Sequence, residues 1–366
     1  GALLIAPQSV LLGMTFPLMS GGYLRVSPHQ DGEILGGLYF TNSIGAAAGA
    51  LAATFLLLPW IGMPGAVMVA GVINLLVGVV AWRVAASVPD TVAATVSRPP
   101  SSVTESAPQE LAADRRLTRF QGLMLLGAAI TGASSFVYEV GWIRLLNQAL
   151  GTTVHSFELM LTAFILGLAF GGLWVRKRSR RIEDPVAVAG VAQVLMGLAA
   201  LVSLPVFAQS FQWVGWFMSV FPKNDNGYML FSLGSATVAL LVMFPAAFFA
   251  GMTLPLFTMA LLRRGYGEKS IGRIYAANTL GAIVGVVLAM HVLIPLMGLR
   301  LAVTLAALVD VILGLVLLRA FSVQFKPKLY FGALAGALVV ASLSLLFGGA
   351  DPRALASGVF RHGRGE

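Results

Sequence analysis

GMTLPLFTMALLRRGYGEKSIGRIYAANTLGAIVGVVLAMHVLIPLMG, residues 251–298, is the stretch whose reading decides the fold. A basic turn, Arg263 to Arg273, joins the end of one apolar segment to the start of another. In the second segment Tyr275, Asn278, Gly281 and Gly285 recur at spacings of three, three and four, which places them on one helical face. The stretch has an echo near the start of the chain. GMTFPLM begins at Gly13 and GGLYFTNSIGAAAG begins at Gly36.

The rest of the composition agrees with an apolar, helical chain. Of 366 residues, 58% are hydrophobic and 11% are charged, and the mean hydropathy is +0.87. Soluble domains carry about 25% charged residues. Several apolar runs exceed the ~20 residues needed to cross a bilayer as a helix, and the alternation of a membrane barrel is missing. The sequence therefore predicts an all-α polytopic membrane protein, with the lipid bilayer as its first partner. The net charge of +9 is not a nucleic-acid footprint, because the basic residues sit in short loops between apolar runs, where positive-inside bias puts them. With no cysteine in the chain, disulfide and thiolate chemistry are excluded. The chain opens on Gly1 inside an apolar run with no basic leader, so further residues are expected upstream.

The apolar runs predict about ten transmembrane helices, at roughly 1–24, 34–58, 65–87, 120–140, 154–175, 186–208, 228–262, 272–295, 300–319 and 329–348. Residues 88–118, rich in Pro, Ser and Thr, are expected to form an extended polar linker. The Trp- and Phe-rich residues 209–227 are expected at the membrane interface. The basic loops Arg176–Arg181, Arg263–Arg273 and Arg319–Lys328 are each two spans apart. They fall on one side, the cytoplasmic one, together with the turn at Arg25 and the linker. The tail after the tenth span then lies outside.

The echo is a repeat. At a shift of 236 residues Gly36 aligns with Gly272, Tyr39 with Tyr275, Asn42 with Asn278, Gly45 with Gly281, Gly49 with Gly285, Pro59 with Pro295 and Gly62 with Gly298. Asn74 aligns with Asp310 and Gly78 with Gly314. Six spans separate the copies, so they share one orientation, the pattern of a major-facilitator-like parallel repeat of six-helix halves. On this reading residues 1–87 are the last three helices of a first half that lacks its first three. Residues 119–320 are a complete second half, 321–348 an additional helix and 349–366 a tail.

Few residues inside the spans can carry chemistry. The pairs Gly45/Gly49, Gly281/Gly285 and Gly167/Gly171 predict close helix approach. Asn42 and Asn278 are expected to bond across the interface between the copies or to touch a solute, and Tyr39 and Tyr275 share those alternatives. Asp310 lies mid-span and is either a buried structural partner or a functional group. His291 is expected to make a satisfied structural contact. Glu139 and Arg144, five residues apart, are slightly off one helical face, so a direct pair needs a helix break. Glu158 and His155 follow at the start of the next span, on the same side. No catalytic, cofactor-binding or metal-binding residue is assigned.

These residues together resemble the membrane region of the bacterial fused major-facilitator/spermidine-synthase-like proteins. The resemblance rests on Tyr138-Glu139, Trp142-x-Arg144-x-Leu146 and Gly151-Thr152-Thr153, on Gly251-Met252-Thr253 with Pro255, and on Tyr275-x-x-Asn278-Thr279-Leu280-Gly281 with Pro295 and Gly298. Ser357 to Arg361 is similar to that family's junction into a soluble aminopropyltransferase-like domain. The resemblance implies an inner-membrane location and a spermidine-synthase-like soluble domain as partner. It also implies a transporter-like domain that binds or moves a polyamine or other small cationic solute, with Asp310, Glu139 and Glu158 as the carboxylates. Two alternatives stay open: a non-transporting accessory subunit whose open side other membrane subunits cover, and the membrane anchor of an aminopropyltransferase-like enzyme.

Overall fold

The computed structural model describes residues 2–27, 30–87, 110–222, 224–320 and 327–347. Among these the chain is all helical, with no strand. The ten α-helices are α1 (Ala2–Val26), α2 (Asp31–Ala52), α3 (Leu58–Ala86), α4 (Glu110–Leu150), α5 (Val154–Arg178), α6 (Pro185–Val220), α7 (Asp225–Leu262), α8 (Lys269–Leu288), α9 (Ile294–Ala320) and α10 (Pro327–Phe347). Their starts follow local chemistry. Thr153 caps α5 by accepting from the Ser156 N–H, Asp184 caps α6 ahead of Pro185, and Asn224 caps α7.

Six helical runs are long and apolar enough to cross a membrane. Two of the six, Asp31–Ala86 and Lys269–Arg319, have 56 and 51 residues. A straight helix of 56 residues would be about 84 Å long, nearly three times the hydrocarbon thickness. Each run carries the same interruption. A π-helical turn spans Ala53–Leu57 in one and Ala289–Leu293 in the other. Gly62 (φ 66°, ψ −179°) and Gly298 (φ 78°, ψ 169°) then leave the helical region. Glycine alone adopts that combination without strain. Both devices recur 236 residues apart, the shift of the sequence echo.

One expectation is corrected. Residues 110–118 belong to helix α4 and not to an extended linker, because Glu-Leu-Ala-Ala-Asp-Arg-Arg is made of helix formers and continues α4 backwards. The rest of the linker, 88–109, lies outside the described residues, as does the tail 349–366. Of residues 209–227, those up to Val220 form the last third of α6. Ser210, Phe211 and Val214 are buried there and hold the helix in the bundle past Pro205.

The core lies within α4–α9. Helix α5 packs on α7, α4 on α8, α6 on both α7 and α9, and α2 on α5. Small residues set the closest approaches. A Cβ on Gly281 would sit 1.9 Å from the Ala129 carbonyl oxygen, and one on Gly171 would sit 2.1 Å from that of Phe248. One apolar cluster surrounds Trp142, and a second surrounds Phe257 nearer the basic turns. Helix α10 rests on α6 and α9, where Arg300 donates to the Ser344 carbonyl and the Ser344 hydroxyl donates to that of Leu201.

Candidate functional site

Asp310 is 0% exposed near the middle of α9. A buried carboxylate needs donors for its lone pairs, and α4 and α6 supply them. The Tyr138 hydroxyl donates to Oδ2 at 2.5 Å, and the Ser134 hydroxyl to Oδ1 at 2.7 Å. Gln193 Nε2 donates to Oδ1 at 3.3 Å and to the Thr131 hydroxyl at 2.9 Å, and Thr131 donates in turn to the Gly127 carbonyl. Residues 131, 134 and 138 recur at three and four, so one face of α4 carries the whole donor row. Among the described residues no cation pairs with this carboxylate. One turn further along α4, Trp142 stacks on Tyr138 at 5.2 Å and donates its indole N–H to Ser203 at 2.8 Å. The arrangement binds α4, α6 and α9 into one unit through polar contacts in an apolar setting.

A second polar cluster joins the first two helices to the rest. Arg263, after α7, pairs with Asp31 at 2.8 Å and donates to the carbonyls of Ser179 and Ile182. Arg180 pairs with Glu33 at 2.7 Å, and Arg25 with Glu268 at 2.8 Å. These ion pairs place the turn after α1, the loop after α5 and the turn after α7 at one end of the molecule. Beside them α2 lies against α5 at closest range, with a Cβ on Gly36 meeting the Gly172 carbonyl oxygen at 2.7 Å.

The other expected residues are scattered. Tyr39 and Tyr275 do come together, through Phe16, which stacks on Tyr275 at 4.4 Å and meets Tyr39 edge-on at 6.3 Å. Asn42 and Asn278 do not bond across the copies. Asn42 is exposed on α2, whereas Asn278 is half-buried against Gly132 of α4. The two helices use these faces for different neighbours. Glu139 is half-buried, and Arg144 is exposed with its guanidinium 3.1 Å from the Met290 sulfur. They form no ion pair, since α4 runs unbroken between them and five residues turn them apart. Glu158 is half-buried on the first turns of α5. Nearby, His155 lies between Phe55 (5.1 Å) and Tyr228 (6.0 Å). Phe55 also lines a 430 Å³ pocket together with residues such as Leu159, Met229 and Leu233. His291 lies in the π-turn with its side chain exposed and has no hydrogen bond among the described residues. Ser134, Gln193 and Arg263 were not singled out by the sequence. Gln193 alone advertised itself, as an amide in mid-span that must find a partner.

Two known proteins are similar to this chain. Polyamine aminopropyltransferase of Corynebacterium efficiens is 26% identical over 229 residues, covering 60% of this chain and 39% of that protein. Polyamine aminopropyltransferase 1 of Streptomyces coelicolor is 24% identical over 251 residues, covering 67% of this chain and 43% of that protein. The chain thus spans about two-fifths of the length of the curated relatives it matches. No family model and no solved structure matches it.

Proposed function

We propose that these residues form the membrane-embedded anchor of a polyamine aminopropyltransferase-like protein. The similarity to two polyamine aminopropyltransferases, each over more than 200 residues, carries this reading. The second support is the interior: Asp310 has donors on two neighbouring helices. In finer detail, the two long helical runs each cross the membrane twice, turning at Gly62 and Gly298. About ten spans then form a major-facilitator-like pair of parallel halves in a bacterial inner membrane, with the basic turns in the cytoplasm.

The test uses the natural gene product in its own membranes. Aminopropyltransferase activity should remain in the pellet after an alkaline carbonate wash. Activity that washes off, or none in any fraction, overturns the anchor.

A second reading, a domain that binds or moves a polyamine, draws on Glu139. It is half-buried and has no hydrogen-bond partner among the described residues, as a carboxylate awaiting a cationic solute would be. Spermidine uptake into reconstituted vesicles that falls at least tenfold in Glu139→Gln would favour it over the anchor. Uptake equal to that of protein-free vesicles favours the anchor.

A further inference from the structure

The first π-turn and the first turns of α5 and α7 meet around the 430 Å³ pocket, a volume within the ~300–1,000 Å³ range of small-molecule sites. Phe55, Leu159, Met229 and Leu233 give it apolar walls, and Asn226 and Ser232 are its polar lining. No lysine or arginine among the described residues lines it. Met229 and Leu233 are 75% and 66% exposed, so the pocket is open on one side.

Helical spacing puts His155, Glu158, Leu159 and Thr162 on one face of α5, and Leu159 turns that face to the pocket. Side chains on a helix lean toward its N-terminus, which on α5 brings Glu158 toward the pocket as well. Its carboxylate makes no ion pair or hydrogen bond among the described residues. The same face runs on to the exposed ring of Phe170, about 16 Å beyond Leu159 and close to the depth of one bilayer leaflet. Phe40 of α2 and Phe244 of α7 flank that ring at 6.3 Å and 6.0 Å. An apolar groove thus follows α5 between α2 and α7, with one carboxylate at its head.

Buried hydroxyls are the second signal. Thr54, Thr162 and Ser235 are 2%, 5% and 2% exposed, and their hydroxyl oxygens have no hydrogen-bond partner among the described residues. Helical Ser and Thr ordinarily donate to a carbonyl three or four residues back, as Thr131, Thr253 and Thr258 do here. The three unpartnered ones adjoin the pocket walls: Thr54 precedes Phe55, Thr162 lies one turn past Leu159, and Ser235 follows Leu233 by two residues. The contacts Gly167–Ala247 and Gly171–Gly251 run at one offset, so Ser235 also stands level with His155. A buried hydroxyl without a partner is costly, and a ligand with acceptor oxygens removes that cost.

We propose that this groove binds one phosphatidylethanolamine molecule drawn from the surrounding bilayer. Its ammonium group pairs with Glu158, beside the rings of Phe55 and Tyr228 that flank His155. The ester carbonyls accept from the buried hydroxyls, and one acyl chain follows α5 to Phe170. A single carboxylate at the head of an apolar groove suits a lipid with one ammonium group. A polyamine repeats its charge along its whole length and finds no second carboxylate among the residues that line the pocket. The proposal rests on the membrane-embedded reading.

The test reconstitutes the full chain in vesicles of equal parts phosphatidylcholine, phosphatidylethanolamine and phosphatidylglycerol. The protein is then extracted in mild detergent, and the lipid that stays with it is counted by mass spectrometry. Phosphatidylethanolamine should be retained about tenfold over phosphatidylglycerol, the factor that one charge-assisted contact supplies. Glu158→Gln should abolish that preference. Leu233→Trp, which fills the pocket, should lower phosphatidylethanolamine retention by a similar factor, whereas Leu338→Trp on the exposed side of α10 should change neither. Equal retention of the two lipids, or a preference that survives both Glu158→Gln and Leu233→Trp, overturns the site. Release of the lipid by free spermidine also overturns it, because the carboxylate would then serve a polyamine. Protein that does not float with the vesicles fails the membrane reading, and the site with it.

Discussion

Helices α2–α3 and α8–α9 begin from closely related sequences and end in different surroundings. Both runs hold a five-residue π-turn and, five residues beyond it, a glycine at positive φ. Yet α9 buries Ala302, Val303, Ala307 and Asp310, whereas α3 buries nothing. The difference separates two levels of folding. The π-turn and the break at glycine are the same in both copies, so they belong to the local sequence. Burial differs at matched positions, so it belongs to the neighbours.

The widest contrast should come from matched glycines. Gly281→Leu should weaken the protein by about 3 kcal/mol or more, since a side chain there meets the α4 backbone. Gly45→Leu should stay within about 0.5 kcal/mol. Thermal unfolding of the detergent-solubilised protein measures both. Equal losses would show that the first copy is covered as the second is, and would break the comparison. Next in size are the matched polar residues. Asp310→Leu deprives Tyr138, Ser134 and Gln193 of their acceptor and should lose about 3 kcal/mol, with Asp310→Asn losing about 1 kcal/mol. Asn74→Leu, on the exposed face, should be neutral. The smallest contrast concerns the clasp between the first two helices and the rest. Arg263→Ala removes a partly buried ion pair and two carbonyl contacts and should cost about 2 kcal/mol. Arg180→Ala breaks a pair whose arginine side chain is 75% exposed, worth about 0.5 kcal/mol or less, and that small effect should vanish in high salt.

Much of the architecture was legible because apolar length and glycine spacing are local signals. The helical class, the close approach at Gly167/Gly171 and Gly281/Gly285, and the distinctiveness of Asp310 all came from them. The partners of those residues did not. The sequence treats Asn42 and Asn278 as equals, yet Asn278 packs against α4 and Asn42 is bare, which only the arrangement of neighbours decides. The shell around Asp310 was half visible. Tyr138 stood within a noted motif and Ser134 lay on the same helical face, but Gln193 reaches the carboxylate from a third helix, and no spacing rule links it to the other two. Arg263 looked like one more positive charge in a basic turn. Its contact with Asp31 depends on the close seat of α2 against α5.

The paired π-turns have a consequence for how the chain tolerates change. Each turn holds one residue more than an α-helix would need, and that residue is slack in the helical screw. Removing one residue from 289–293 would tighten the turn and rotate α8 by about 100° relative to α9. Gly281 and Gly285 would swing off α4 while Asp310 kept its donors. The same deletion in 53–57 would turn the bare glycines of α2 relative to α3. The spare residue therefore acts as the gear that sets which faces of successive helices look the same way, and both copies are cut with the same tooth count.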